Sequence, residues 1–97
     1  MANTLSDAEV EKALESLPGW TVENHKLVKT YERKDFADAV SFIVGMGFVC
    51  EQQDHHPELY NVWNKVRLEI TTHDAGNKLT EKDISLASAI EKIAGGS

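Results

Sequence analysis

A chain of 97 residues, 41% hydrophobic and 27% charged, is too short for a second core and too apolar for disorder, so one globular domain over residues 1–97 is expected. Ten Lys plus Arg against sixteen Asp plus Glu leave a formal charge of −6, and no basic cluster is dense enough to follow a phosphate backbone, which argues against direct nucleic-acid binding and against a strongly anionic ligand. No window approaches the ~20 apolar residues that span a bilayer, the start MANTLSDAEVEKALESL has no basic segment followed by an apolar core, and the single Cys50 cannot form an intramolecular disulfide; a cytoplasmic protein without membrane contact is expected.

Ser6 and Glu9 form an S-x-x-E capping box, and Val10, Ala13, Leu14 and Leu17 recur at helical spacing until Pro18 and Gly19, which predicts an amphipathic helix of about three turns. Trp20 to Val22 and Leu27 to Glu32, rich in aromatic and β-branched residues, read as two strands of a hairpin with Asn24 and His25 in its turn. Asp35 opens a second helix whose apolar face is Phe36, Ala39, Val40, Ile43, Val44, Gly47 and Cys50. Gly45 and Gly47 are costly inside a helix, about 1 kcal/mol each, and suggest close approach to a neighbouring backbone.

The second helix must end before Pro57. Leu59 to Trp63 then reads as a strand, Asn64 and Lys65 as a turn, and Val66, Leu68, Ile70 and Thr72 alternate with Arg67, Glu69, Thr71 and His73 as a half-buried strand with one wet face. After the polar loop DAGNK, Thr80 and Asp83 give a T-x-x-D start to a third helix with the stripe Ile84, Ala87, Ile90 and Ile93, and GGS frays from its end. The order α-β-β-α-β-β-α, with two hairpins and no parallel crossover between consecutive strands, predicts an α+β fold: a four-stranded antiparallel sheet with three helices packed on one face. The other sheet face is polar, and an edge strand is free for pairing with another subunit. A domain this small buries only about 60 to 65% of its unfolded surface, so oligomerisation is expected.

Two of the four histidines fall in the stretch EQQDHHPELY. If the second helix runs to about Asp54, Glu51 and His55 stand one turn apart, where a carboxylate can hold an imidazole in one tautomer; His56 then diverges by roughly 100°. His73, at the end of a strand on its polar face, can project into a cleft, and three imidazoles could line one pocket. Solvated or structural histidines are the competing reading. A metal site is disfavoured, since there is no H-x-x-x-H or C-x-x-C spacing, and so is nucleophilic catalysis, since Cys50 lies within an apolar helix and no Gly-rich elbow surrounds a serine. Acid–base chemistry or none remains. Taken singly, Trp63 reads as core and Asp83 as a helix cap.

Glu51, three residues, His55-His56-Pro57, five residues to Trp63, nine to His73 and nine to Asp83 together resemble the signature of the pterin-4a-carbinolamine dehydratases, also called the dimerization-cofactor family. PELYNVWNKV, the strand ending TTHD and EKDISLASAIEKI are similar to that family too, and the likeness runs over essentially the whole chain, weakest in the first 30 residues and in DAGNK. The resemblance implies the same α+β fold, a homodimer or homotetramer, and dehydration of 4a-hydroxytetrahydrobiopterin to quinonoid dihydropterin plus water, the recycling step of tetrahydrobiopterin. It implies a hydro-lyase that requires no metal and no cofactor. It also admits a non-catalytic role on the same fold, as a coactivator or an assembly and dimerisation module with a protein partner.

By position in the motif, the resemblance makes His55 and His73 the acid–base pair and His56 a catalytic-site residue that chiefly binds substrate. Glu51 would orient His55, and Asp83 would support the pocket. Asp54, Pro57, Thr71, Thr72 and Asp74 border the histidines as candidate pterin contacts. Which of His55 and His73 is the acid depends on which face of the pterin carries the hydroxyl, and stays open at this point.

Overall fold

In the computed structural model, which describes residues 3–95, the chain runs α1 (Asp7–Leu14), β1 (Thr21–Glu23), β2 (Lys26–Glu32), α2 (Phe36–Gln53), β3 (Glu58–Val62), β4 (Lys65–Ile70), a 3-10 turn (His73–Ala75) and α3 (Glu81–Ala94). The expected order of three helices and four antiparallel strands is the observed one. The end of the GGS tail, Gly96 and Ser97, lies outside the described residues.

Local chemistry starts and stops the elements. The Ser6–Glu9 capping box is formed in both directions, and α1 then runs for eight residues, shorter than its periodicity suggested. Gly19, at φ +83°, turns the chain into β1; a Cβ there would sit 2.9 Å from the Lys29 side chain, which itself reaches back to the Pro18 carbonyl. Asn24 and His25, both in the left-handed region, close the first hairpin, the geometry that matches the twist of the strands it joins. Asp35 caps α2 by accepting from the Asp38 N–H.

The sheet order is β1-β2-β4-β3, so the second strands of the two hairpins pair at its centre, with Leu27 opposite Ile70, Lys29 opposite Leu68 and Tyr31 opposite Val66. On the helix-covered face Leu27, Tyr31, Val66, Leu68 and Ile70 are buried and join Phe42, Met46, Cys50, Leu86 and Ile90 in one cluster. Each such side chain taken out of water contributes about 1.5–3 kcal/mol. The opposite face is polar as expected: Lys26 bridges Glu58 and Glu69, and Arg67 bridges Glu69 and Glu23, roofing a buried Val28.

Several sequence expectations change. The stripe of α2 that enters the core is Ala39, Phe42, Met46 and Cys50, with Ile43 and Val49 partly buried beside it, whereas Phe36, Val40 and Val44 face outward with Phe48. An almost wholly apolar helix offers two candidate faces, and only the packing against α3 and β4 selects one. Gly45 has only the Ile93 side chain near it, at 3.8 Å, and Gly47 has nothing within 4 Å, so neither marks close backbone approach within this chain. On α3 the fully buried positions are Asp83, Leu86, Ala87 and Ile90, while Ile84 and Ile93 are only partly covered.

The second hairpin turns one residue earlier than expected. Trp63 and Asn64 form the turn, Lys65 opens β4, and Trp63 is 64% exposed at φ +51°, not core. Asn64 supplies the reason, since its Nδ2 donates to the Arg33 carbonyl and its own carbonyl accepts from the Arg33 N–H, fastening the turn to the end of β2. Strand β4 in turn stops at Ile70, and His73 begins the 3-10 turn instead of ending a strand.

Candidate active site

The C-terminal end of α2 sets the first histidine. Asp54 adopts φ +50°, its N–H donates to the Glu51 carbonyl, and the His55 N–H donates to the Cys50 carbonyl, the hydrogen-bond pattern of a Schellman stop. The chain thereby leaves the helix abruptly, and the His55 side chain turns inward to 10% exposure while His56 stays outside.

Buried behind His55 is Asp83, with no exposed surface. Its Oδ1 lies 2.7 Å from His55 Nε2, and its Oδ2 accepts from the Thr72 hydroxyl and the Thr80 N–H, each at 2.8 Å. A carboxylate only accepts, so the Thr72 proton is committed to Asp83, and the Thr80 hydroxyl, 2.8 Å away, is left to donate to Thr72. The T-x-x-D cap of α3 and the histidine partner are thus one group, and a buried carboxylate with all these donors is satisfied where a bare one would be costly.

Glu51 does not reach His55. Its Oε1 lies 3.1 Å from His56 Nε2, both side chains largely in solvent. The left-handed Asp54 breaks the helix between them, so the i,i+4 relation that would have joined Glu51 to His55 is lost.

The second wall comes from the loop after β4. Thr72, His73 and Asp74 face Asp54, His55 and His56 across a cleft of ≈410 Å³, which Lys82 completes. That size suits a small ring system. Pro57 and Thr71 are not among the lining residues: the Thr71 hydroxyl donates to the His25 carbonyl in the first hairpin, and Thr71 is buried. His73 Nδ1 is 2.7 Å from Asn77 Oδ1. Lys82 and Asn77 carry no sequence pattern that would have singled them out; Lys82 was recognisable only as the neighbour of the cap residue Asp83.

A larger hollow of ≈520 Å³ between α1 and the first hairpin is floored by Leu5, Val10, Leu14, Val22 and Leu79 and holds one imidazole, His25. Its other titratable lining groups among the described residues are Asp7, Glu11 and Lys78 and none is an imidazole, so the smaller cleft, with three imidazoles, is the candidate site. Among the described residues no cluster of His, Cys, Asp and Glu is arranged to hold a metal ion, and no helix is long and apolar enough to cross a membrane.

Comparison with known proteins agrees with the fold and with the family resemblance. Residues 3–93 match the family model described as pterin 4 alpha carbinolamine dehydratase. A protein of Roseiflexus sp. (strain RS-1), named as a candidate pterin-4-alpha-carbinolamine dehydratase, is 45% identical over 96% of this chain and 99% of its own length. One of Opitutus terrae with the same name is 43% identical over 97% of each. A crystal structure described as a transcriptional coactivator/pterin dehydratase from Brucella melitensis superposes with a TM-score of 0.90 at 35% identity, over 96% of this chain and 100% of that one. This chain belongs to the pterin 4 alpha carbinolamine dehydratase family.

Proposed function

We propose that the chain, as one catalytic unit over its whole length, dehydrates 4a-hydroxytetrahydrobiopterin to quinonoid dihydropterin plus water in tetrahydrobiopterin recycling, by general acid–base catalysis from histidines. The observation that carries the reading is the buried His55–Asp83 contact opening on a cleft whose facing wall presents His73. In the reaction the C4a–O bond breaks as the adjacent nitrogen lone pair forms the C4a=N double bond. A proton goes to the departing hydroxyl, which leaves as water, and the nitrogen gives up its own proton. One acid and one base acting near neutral pH suffice for this, and imidazole is the side chain suited to both.

In this reading His55 and His73 exchange the protons. Asp83 acts as positioning residue for His55, accepting from Nε2–H and leaving Nδ1 as the nitrogen that faces exchange with substrate. His56, steadied by Glu51, binds substrate together with Asp54, Thr72, Asp74 and Lys82, whose mixture of donors and acceptors suits the polar edge of a pterin. The buried free thiol of Cys50 is in keeping with a reducing cytoplasm.

Purified protein is expected to accelerate water loss from a 4a-hydroxytetrahydropterin, with and without exhaustive chelation. His55→Ala and His73→Ala are each expected to lower kcat/KM by about 10²- to 10⁴-fold. Unchanged rates in both variants would overturn the assignment.

A homodimer or homotetramer is part of the proposal. Phe36, Val40, Val44 and Phe48 form an exposed apolar line along α2, and Tyr60, Val62 and Trp63 expose a second patch on the edge strand β3 and its turn. The α2 line and the description of the Brucella melitensis protein also support a second reading, a coactivator or assembly role that leaves the histidines unused. Recovery of a helical partner by the His55, His56 and His73 triple-alanine protein would speak for it.

A further inference from the structure

The two imidazoles on opposite walls have partners of different kinds. His55 Nε2 meets a buried carboxylate, whereas His73 Nδ1 meets the side-chain amide oxygen of Asn77 at 2.7 Å. Asn77 lies in the loop DAGNK, outside the spaced motif, and nothing in the sequence connects it with the histidines.

The loop is built to bring them together. The Thr72 carbonyl accepts from the N–H groups of both Ala75 and Asn77, the Gly76 N–H donates to the His73 carbonyl, and the Thr72 N–H donates to the Lys78 carbonyl. Gly76 at φ +75° and Asn77 at φ +60° then fold the chain back so that the Asn77 side chain lies against the ring of His73. Thr72 is also the residue whose hydroxyl is spent on Asp83, so both histidine partners are held from this one residue, one through its side chain and one through its backbone.

We propose that Asn77 is a positioning residue that fixes the resting tautomer of His73. An amide oxygen accepts but cannot donate, so Nδ1 must carry the proton and Nε2 is left as the accepting nitrogen of a ring on the cleft wall. Unlike Asp83, the amide brings no charge with which to stabilise an imidazolium. His73 is therefore left with an accepting nitrogen suited to the base, and His55, hydrogen-bonded to a carboxylate, is the imidazole suited to deliver a proton. Asn77 gives His73 a fixed polarity that the motif residues alone leave open. The catalytic consequence rests on the dehydratase reading; the tautomer itself does not.

Nitrogen-15 NMR of histidine-labelled protein tests this without substrate. Wild type is expected to show His73 protonated at Nδ1 and unprotonated at Nε2. Asn77→Gly keeps a backbone free to occupy φ +60° while removing the amide, and is expected to shift His73 toward the Nε2–H form with His55 signals unchanged. Asn77→Asp restores an oxygen acceptor at the same place and is expected to return the Nδ1–H tautomer.

In turnover, Asn77→Gly is expected to lower kcat about tenfold with KM unchanged, the scale of one lost hydrogen bond in the transition state. A wild-type His73 protonated at Nε2, as the reverse orientation of the amide would impose, overturns the proposal, and so does a tautomer unmoved in Asn77→Gly. If the tautomer behaves as expected but no variant, nor wild type, dehydrates the pterin, the dehydratase reading fails and the positioning of His73 stands.

Discussion

Asp83 is a helix cap and a histidine partner in one side chain, and the two duties can be separated by substitution. Asp83→Ala leaves the Thr80 N–H, the Thr72 hydroxyl and the His55 ring without their acceptor in a fully buried place, and is expected to cost about 3 kcal/mol, read as a lowered denaturation midpoint. Asp83→Asn retains the volume and one acceptor oxygen, so it is expected to lose less stability yet lower kcat by about 10²-fold; equal losses of rate and stability in the two variants would contradict the separation. A second, half-buried carboxylate, Glu91, has a purely structural part. Burial by itself pushes Glu91 upward, but donation from Lys29, Tyr31 and Trp20 to the same Oε1 outweighs it and holds Glu91 below the ordinary glutamate value of 4.5. The depressed folded-state value means that this stabilisation is complete above the unfolded pKa and disappears as pH falls through the folded one. Acid unfolding of wild type is therefore expected to steepen below about pH 4.5, and Glu91→Gln to flatten that limb while costing roughly 1–3 kcal/mol at neutral pH. The sequence disclosed Asp83 as a cap because a cap is set by residues three apart. Its contact with His55, 28 residues away, depends on where α2 stops relative to α3.

Among the elements, the end of α2 decides most about the site. Asp54 occupies the left-handed position where glycine is usual, a conformation costing a non-glycine residue roughly 1 kcal/mol, and it also lines the cleft. Asp54→Gly is accordingly expected to raise stability by about 0.5–1 kcal/mol in chemical denaturation while raising KM, a local exchange of stability for binding. A loss of stability in this variant would show that the Schellman stop does not govern the exit of the chain. Helix starts at Ser6, Asp35 and Thr80 were legible because capping is local. The end of α2 near Asp54 was expected too, but not the left-handed turn of Asp54 itself, because no glycine marks it, and with that turn went the expected pairing of Glu51 with His55. Likewise alternation continued on paper to His73, while pairing in β4 ends at Ile70, the loop bonds to the Thr72 carbonyl turn the chain at His73, and the Thr71 hydroxyl donates to the His25 carbonyl.

For the whole molecule, the sheet joins two hairpins through β2 and β4, and α2 and α3 cover one face, so the pairing within each hairpin is local in sequence and the central pairing is the long-range one. What the fold leaves outside is as informative as what it buries. An apolar line from Phe36 to Phe48, with Phe48 70% exposed, is more than scattered surface residues require and fits association between copies. Val44→Lys combined with Phe48→Lys is expected to lower the assembly state seen by analytical ultracentrifugation without unfolding the protomer, since neither side chain enters the core. An unchanged sedimentation coefficient would move the interface elsewhere.

The sequence by itself determined the order of elements, three helix starts, the first hairpin turn and the triad of imidazoles as a proton-transfer candidate, because caps, turns and residue identity act within a few positions of the chain. Tertiary structure decided which face of α2 is core, which acid serves which histidine, that Lys82 lines the cleft while Pro57 and Thr71 do not, and that Asn77 meets His73. Those outcomes depend on the relative placement of elements far apart in sequence, and on backbone conformation at single residues: a left-handed residue at a helix end, or a hairpin turning one residue early, redirects every side chain beyond it.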